Sequence, residues 1–150
     1  MNTQLDMVKH KRRLSGILVH PTSLPGKFGI GDLGPEAYHF VDFLKEAGQH
    51  IWQTLPLGPT GETNCPYQCY SSFAGQPLLI SPELLVKDGL LTEEDLSSPP
   101  AFPEEKVDYA LVKQYKGELF HKAFSRFTDP ASADFADLHD SFASFRQESF

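Results

Sequence analysis

The stretch His50-Ile51-Trp52-Gln53-Thr54-Leu55-Pro56-Leu57-Gly58-Pro59-Thr60-Gly61 begins as an apolar run and becomes a loop. Ile51 to Leu57 reads as a strand apolar enough to be buried on both faces, which favours a parallel sheet covered by helices. The loop continues through Cys65-Pro66-Tyr67-Gln68 to Phe73-Ala74-Gly75-Gln76-Pro77-Leu78-Leu79-Ile80, with Tyr67, Tyr70 and Phe73 spaced three apart. A strand that feeds a long, chemically varied loop is the way a rigid scaffold presents a binding site.

Upstream, Gly16-Ile17-Leu18-Val19-His20 reads as a short buried strand bounded by Gly and by Pro21. Between the two strands, Pro35 suits the first position of a helix, where its missing N–H would have no partner. Ala37, Phe40, Val41, Leu44 and Ala47 then draw one apolar stripe, and Gly48 is placed to stop the helix. Strand, helix and strand from Gly16 to Leu57 therefore form a βαβ unit, right-handed by default. The fold class is α/β.

Residues 1–13 are polar and are expected to be a disordered N-terminus, with the cluster Lys9 to Arg13 solvated. Downstream of the loop, Ser81-Pro82 caps a short helix to Lys87 that Gly89 ends, and Thr92-Glu93-Glu94-Asp95 resembles a second cap. Ser97 to Glu105, with Pro99, Pro100 and Pro103, is a linker. A longer helix from Asp108 carries Val112, Tyr115, Leu119, Phe120, Ala123, Phe124 and Phe127 on one face. After Asp129-Pro130, Phe135, Leu138, Phe142 and Phe145 mark another amphipathic helix. Both phenylalanine stripes are read as core. The boundaries are thus 1–13, 14–80 for the βαβ part with its loop, and 81–150 for a helical subdomain. Helical patterning still runs at Phe150 without a stop signal, so the subdomain is expected to be truncated there.

A chain of 150 residues has the length of one domain. Its formal charge of −7 argues against nucleic-acid or anionic-membrane partners, which demand clustered Lys and Arg. A neutral polar ligand suits it better. Cys65 and Cys69 supply neither a disulfide framework nor a complete zinc site, and no metal is expected. Reduced thiols, no apolar run near a membrane span and no export signal predict a cytoplasmic protein. The oligomeric state is left open.

Gly29-Ile30-Gly31-Asp32-Leu33-Gly34 spells the dinucleotide-binding pattern G-x-G-x-x-G. Its context fails, because His20 to Phe28 separate it from the strand and residues 49–55 hold no acid for a ribose. His20, at a strand end, is read as a hydrogen-bonded structural residue rather than a base. No G-x-S-x-G elbow occurs, and Glu93, Glu94, Asp95, Glu104 and Glu105 fall in caps and a linker. The residues offer a binding loop without catalytic groups. Trp52, Tyr67 and Tyr70 provide flat faces, and Gln53, Thr54, Asn64, Gln68 and Gln76 uncharged hydrogen-bonding groups, a mixture that suits sugar among other ligands.

Gly16-Ile17-Leu18-Val19-His20-Pro21-Thr22-Ser23-Leu24-Pro25-Gly26, Gly29-Ile30-Gly31-Asp32-Leu33-Gly34 and Trp52-Gln53-Thr54-Leu55-Pro56-Leu57-Gly58-Pro59-Thr60-Gly61 together resemble the opening of the amylomaltases, the 4-α-glucanotransferases or disproportionating enzymes. The likeness runs from Gly16 to about Gly89, and more weakly over Val107-Asp108-Tyr109. It implies the N-terminal part of a (β/α)8 TIM barrel, with Gly16–His20 and Ile51–Leu57 as its first two strands and an inserted helical subdomain. It also implies transfer of α-1,4-glucan segments to glucose or another glucan by a retaining mechanism without a cofactor. The expected partner is an α-glucan oligosaccharide or polysaccharide.

The family's nucleophile, acid/base and third carboxylate lie on later strands, so no catalytic residue is expected in this chain and the chain alone is expected to be inactive. Tyr67 in Cys65-Pro66-Tyr67-Gln68 matches the Tyr of the family's S-P-Y-Q segment, beside the scissile bond, with Cys65 in place of its Ser. Tyr109 matches a Tyr of a second glucan groove in some members. Gln76 stands where A-G-N-P is usual, and Glu62 where some members carry an aromatic of that second groove. The alternative is a non-catalytic glucan-binding module, and a nucleotide-binding domain is a more distant third.

Overall fold

A computed structural model describes residues 13–129 and 135–149. Of the expectation for residues 1–13, all but Arg13 lies outside the described residues, as does Pro130. Strand β1 (Gly16–Leu18), helix α1 (Pro35–Glu46) and strand β2 (Ile51–Gln53) follow one another as expected. β1 and β2 pair in parallel, with Gly16 opposite Ile51, Ile17 opposite Trp52 and Leu18 opposite Gln53. The chain is therefore α/β with two parallel strands.

Both strands are shorter than the apolar runs suggest. The ladder ends where the Val19 amide donates to the Gln53 carbonyl at 3.1 Å. Pro21 has no N–H to extend it and instead opens a 3-10 turn over Pro21–Ser23. On the other side of the ladder, the Val19 carbonyl that would accept the next bond accepts instead from Trp52 Nε1 at 2.9 Å. The expectation that β2 is buried on both faces does not hold either. Trp52 is half-buried, its ring meeting Phe40 of α1 edge-on at 5.0 Å between centroids, whereas Ile51 and Gln53 face solvent. Among the described residues only the α1 side of the sheet is covered.

Helix α1 starts at Pro35 and is followed by Gly48 in the left-handed region at φ 67°, as its stop signal requires. Ala37 and Leu44 are buried, while Val41 and Ala47 of the expected stripe are exposed. Helix α2 (Pro82–Lys87) is capped by Ser81, whose Oγ accepts from the Leu84 amide. Thr92 and Asp95 cap one another reciprocally at a 3-10 turn over Glu94–Leu96. Helix α3 (Tyr109–Phe127) is capped by Asp108, and helix α4 spans Ala136–Ser149.

Two clusters form the core. Ile30, Leu78 and Val112 pack with Phe102, Val107 and Tyr109. Leu91, Leu119 and Ala123 pack with Leu85, Val86, Leu90, Leu96 and Tyr115. The linker 97–105 thus contributes Phe102 to the core. The phenylalanine stripes are only partly core: the Phe127 ring meets Phe135, His139 and Phe142, yet Phe124, Leu138, Phe142 and Phe145 are exposed. α4 meets α3 where His139 and Phe142 contact Phe127, and Leu138 and Phe145 remain exposed.

Candidate functional site

The loop that follows β2 is a fixed structure. Its two arms meet in an antiparallel bridge between Thr60 and Cys69, and the Tyr70 amide donates to the Pro59 carbonyl at 3.0 Å. Nearer the sheet the Gln76 amide donates to Leu57 O at 2.8 Å, and the Gln76 side chain donates to Thr60 Oγ1 at 3.0 Å. Gln76 therefore closes the base of the loop. His20 joins it from below: Nδ1 accepts from the Thr22 hydroxyl at 2.7 Å, leaving Nε2 to donate to Pro56 O at 3.4 Å. Both ring nitrogens are engaged, which is the structural role expected of it.

At the tip, the Gln68 amide closes a turn onto Cys65 O at 3.0 Å, and the Thr63 hydroxyl donates to Gln68 Oε1 at 2.6 Å. Asn64 adopts φ 55°, a left-handed conformation that Asn tolerates, and its side chain accepts from Lys113 of α3 at 2.7 Å. Cys69 Sγ donates to Pro66 O at 2.8 Å. This framework lifts Tyr67 and Tyr70 into solvent, 72% and 75% exposed, and leaves Phe73 fully exposed. Large exposed rings on an ordered loop with uncharged hydrogen-bonding neighbours make a contact surface.

Cys65 and Tyr67 occupy that turn, with Cys65 half-buried beneath it. Tyr109 is placed differently. It begins α3, packs against the cluster of Ile30, Leu78 and Val112, and lines a cleft with His20, Thr60, Asn64, Pro66 and Gln76. The cleft holds about 20 Å³, enough for a water and too little for a sugar ring. Trp52 also serves the scaffold, since its Nε1 donates to Val19 O at 2.9 Å. Among the described residues no group of three His, Cys, Asp or Glu is arranged to hold a metal ion, and no helix is long and apolar enough to cross a membrane.

The G-x-G-x-x-G segment is spent on the fold. The amides of Gly31, Leu33 and Gly34 donate to Thr22 O, Leu79 O and Asp32 Oδ1, so they offer no cradle for a phosphate. Gly29 sits at φ 75° against the Phe102 ring, and a Cβ on Gly31 would strike the carbonyls of Pro21 and Leu24. Lys116 is the residue that sequence reasoning missed. It is fully buried and donates to Asp32 Oδ2 of this segment at 2.8 Å. The available signal was a lysine four residues after Val112 and three before Leu119, on the apolar face. Burial holds its pKa below the ordinary lysine value, and Asp32 offsets only part of that shift.

Comparison with known proteins adds an independent line. The profile of a family described as 4-alpha-glucanotransferase matches residues 19–149. A 4-alpha-glucanotransferase of Synechocystis is 51% identical over 116 residues, covering 77% of this chain and 23% of that protein. One from Thermus thermophilus is 47% identical over 135 residues, covering 90% and 26%. An amylomaltase from Streptococcus agalactiae, solved in complex with acarbose, superposes with a TM-score of 0.80 at 38% identity, covering 91% of this chain and 27% of that one. The chain spans about a quarter of the length of the curated relatives it matches.

Proposed function

This chain belongs to the 4-alpha-glucanotransferase family, and from that premise we propose that it forms the glucan-holding opening of such an enzyme. In this reading β1 and β2 are the first two strands of a (β/α)8 barrel, within residues 14–80, and residues 81–150 are a helical insertion. The loop after β2 then lies at the C-terminal end of a barrel strand, the end at which such barrels bind their substrates. The single observation that carries the reading is the ordered loop that holds Tyr67 72% exposed among neutral hydrogen-bonding groups.

The ligand proposed is an α-1,4-glucan. Tyr67 stacks on a sugar face beside the bond that is exchanged, and the half-buried Cys65 thiol stands under the same turn where a hydroxyl is usual. Tyr109, half-buried at the start of α3, belongs to a second glucan contact through its exposed part and not through the small cleft it lines, with Glu62 in place of an aromatic partner. The acarbose bound by the Streptococcus agalactiae amylomaltase supports a saccharide ligand here.

The reaction is retaining. A carboxylate attacks the anomeric carbon as an acid protonates the departing sugar oxygen, and a hydroxyl of a second glucan then displaces the carboxylate and returns the proton. In this reading those carboxylates belong to later strands of the full-length enzyme, and this chain supplies binding and orientation. The free thiols of Cys65 and Cys69 fit a reducing compartment, and we place the enzyme in the cytoplasm.

The test is a chimera in which this chain replaces the matching quarter of a curated relative. Release of glucose from maltotriose by the chimera, with none from the isolated chain, is the expected result. A chimera that folds and transfers no glucan overturns the assignment. Turnover by the isolated chain would overturn the division of labour.

A further inference from the structure

The Lys116 ammonium carries three N–H donors and all three are placed. They reach Asp32 Oδ2 at 2.8 Å, the Leu78 carbonyl at 2.8 Å and the Ile80 carbonyl at 2.9 Å. Burying a cation is unfavourable unless it is paired and its donors are accepted, and here both conditions are met. An apolar side chain of similar length would fill the volume without that penalty, so the ammonium is to be understood by what it holds.

It holds the return arm of the ligand loop. Leu79 O, between the two carbonyls bound by Lys116, accepts from the Leu33 amide at 3.0 Å. Three successive carbonyls of the arm are thus tied to elements outside it. Asp32 completes the tie, because its second oxygen accepts from the Gly34 amide at 2.9 Å, at the start of α1. The 3-10 turn Pro77–Leu79 then leads back to Gln76, whose bonds to Leu57 and Thr60 close the base of the loop. From Lys116 to the Thr60–Cys69 bridge under Tyr67 the path consists of two hydrogen-bonded steps and one short turn.

We propose that Lys116, with Asp32 as its counter-ion, is a positioning residue for the ligand loop, fixing the arm from Gln76 to Ile80 so that the Tyr67 turn is presented ready-ordered to the glucan. The proposal rests on the glucan reading of the loop given above. A loop ordered in advance loses less conformational freedom on binding, so the contribution is to affinity for the substrate.

The informative variant is Asp32→Leu with Lys116→Met, which removes both charges and keeps the volume. Two readouts are needed. In hydrogen exchange on this chain, the amides of Gln68, Tyr70 and Gln76 are expected to exchange about tenfold faster, with those of Leu119 to Ala123 unchanged. In the chimera, KM for maltotriose is expected to rise by about threefold to tenfold while kcat stays within about twofold, the pattern of lost ground-state binding.

Unchanged exchange in the loop overturns the proposal, whatever happens to KM. If the double variant loses protection in α3 as well, Asp32→Asn decides, because it keeps an acceptor for Gly34 and removes the charge that faces Lys116. It must show the same loop-selective acceleration in weaker form, and wild-type exchange rates overturn the proposal. Faster loop exchange with KM unmoved, in a chimera where Tyr67→Ala also leaves KM unmoved, supports the clamp and sinks the glucan reading of the loop.

Discussion

Two loops of this chain share a vocabulary of glycine, proline and aromatic residues and use it in opposite ways. The segment from Gly26 to Gly34 buries Phe28 and Ile30 at 4% and 3% exposure and commits the amides of Gly31, Leu33 and Gly34 to internal acceptors. The segment from Gly58 to Gly75 binds its own backbone equally well, yet leaves Tyr67, Tyr70 and Phe73 in solvent. The first resembles a nucleotide motif and is structural; the second matches no phosphate motif and carries the proposed contact surface. What separates them is whether the rings find protein partners, because a ring left exposed on an ordered backbone is free to meet a ligand.

The contrast can be broken hardest at Lys116. Replacing it alone by Met leaves the Asp32 carboxylate with no counter-ion beneath the first loop, and urea unfolding is expected to report a loss of about 3–5 kcal/mol. A loss below about 1 kcal/mol would show that the first loop does not depend on the pair. Gly31→Ala is next. Its Cβ meets the carbonyls of Pro21 and Leu24, and overpacking of this kind is expected to remove about 1–3 kcal/mol by the same measurement.

Asp95 gives a smaller effect with a definite pH sign. The Arg126 guanidinium at 2.6 Å, then the Thr92 amide, then the Lys122 ammonium at 3.3 Å hold its carboxyl well below the ordinary carboxylate value. A depressed folded pKa means that the unfolded chain binds the proton first on acidification. The stability from Asp95 is therefore complete above about pH 4 and is lost as pH falls below that value. Asp95→Asn is expected to lower Tm at neutral pH and to narrow its gap from the parent as pH falls below 4. A gap independent of pH would contradict this.

Phe73→Ser should do least, within about 0.5 kcal/mol, since the fully exposed ring has no packing to lose. A larger loss would mean that the second loop is not the free surface described here.

Much of the architecture was legible in the residues. Pro35 and Gly48 bracket α1, Ser81 and Asp108 cap their helices, and the apolar runs at Gly16 and Ile51 give the parallel pair. The strand ends were not legible from apolar content, because Pro21 lacks the next donor and the Trp52 ring N–H takes the Val19 carbonyl. The degree of burial was overestimated at Ile51, Val41 and Phe124, since periodicity shows which residues share a face and not whether an element covers that face. Lys116 escaped because a lysine is rarely fully buried, and its partner Asp32 lies 84 residues away in sequence. For the site, spacing and chemistry reached a sugar-compatible loop, whereas Tyr67 and Tyr109 as particular contacts came only from the family resemblance.

The central claim is that the second loop holds glucan through Tyr67, and steady-state kinetics of maltotriose disproportionation by the chimera test it most directly. About 150 Å² of ring surface at about 25 cal/mol/Å² limits the contribution to about 4 kcal/mol. Tyr67→Ala is expected to lower kcat/KM by about tenfold to a hundredfold, against less than about twofold for Phe73→Ala on the same loop. Equal kcat/KM for Tyr67→Ala and the parent, with the fold intact, would contradict the account.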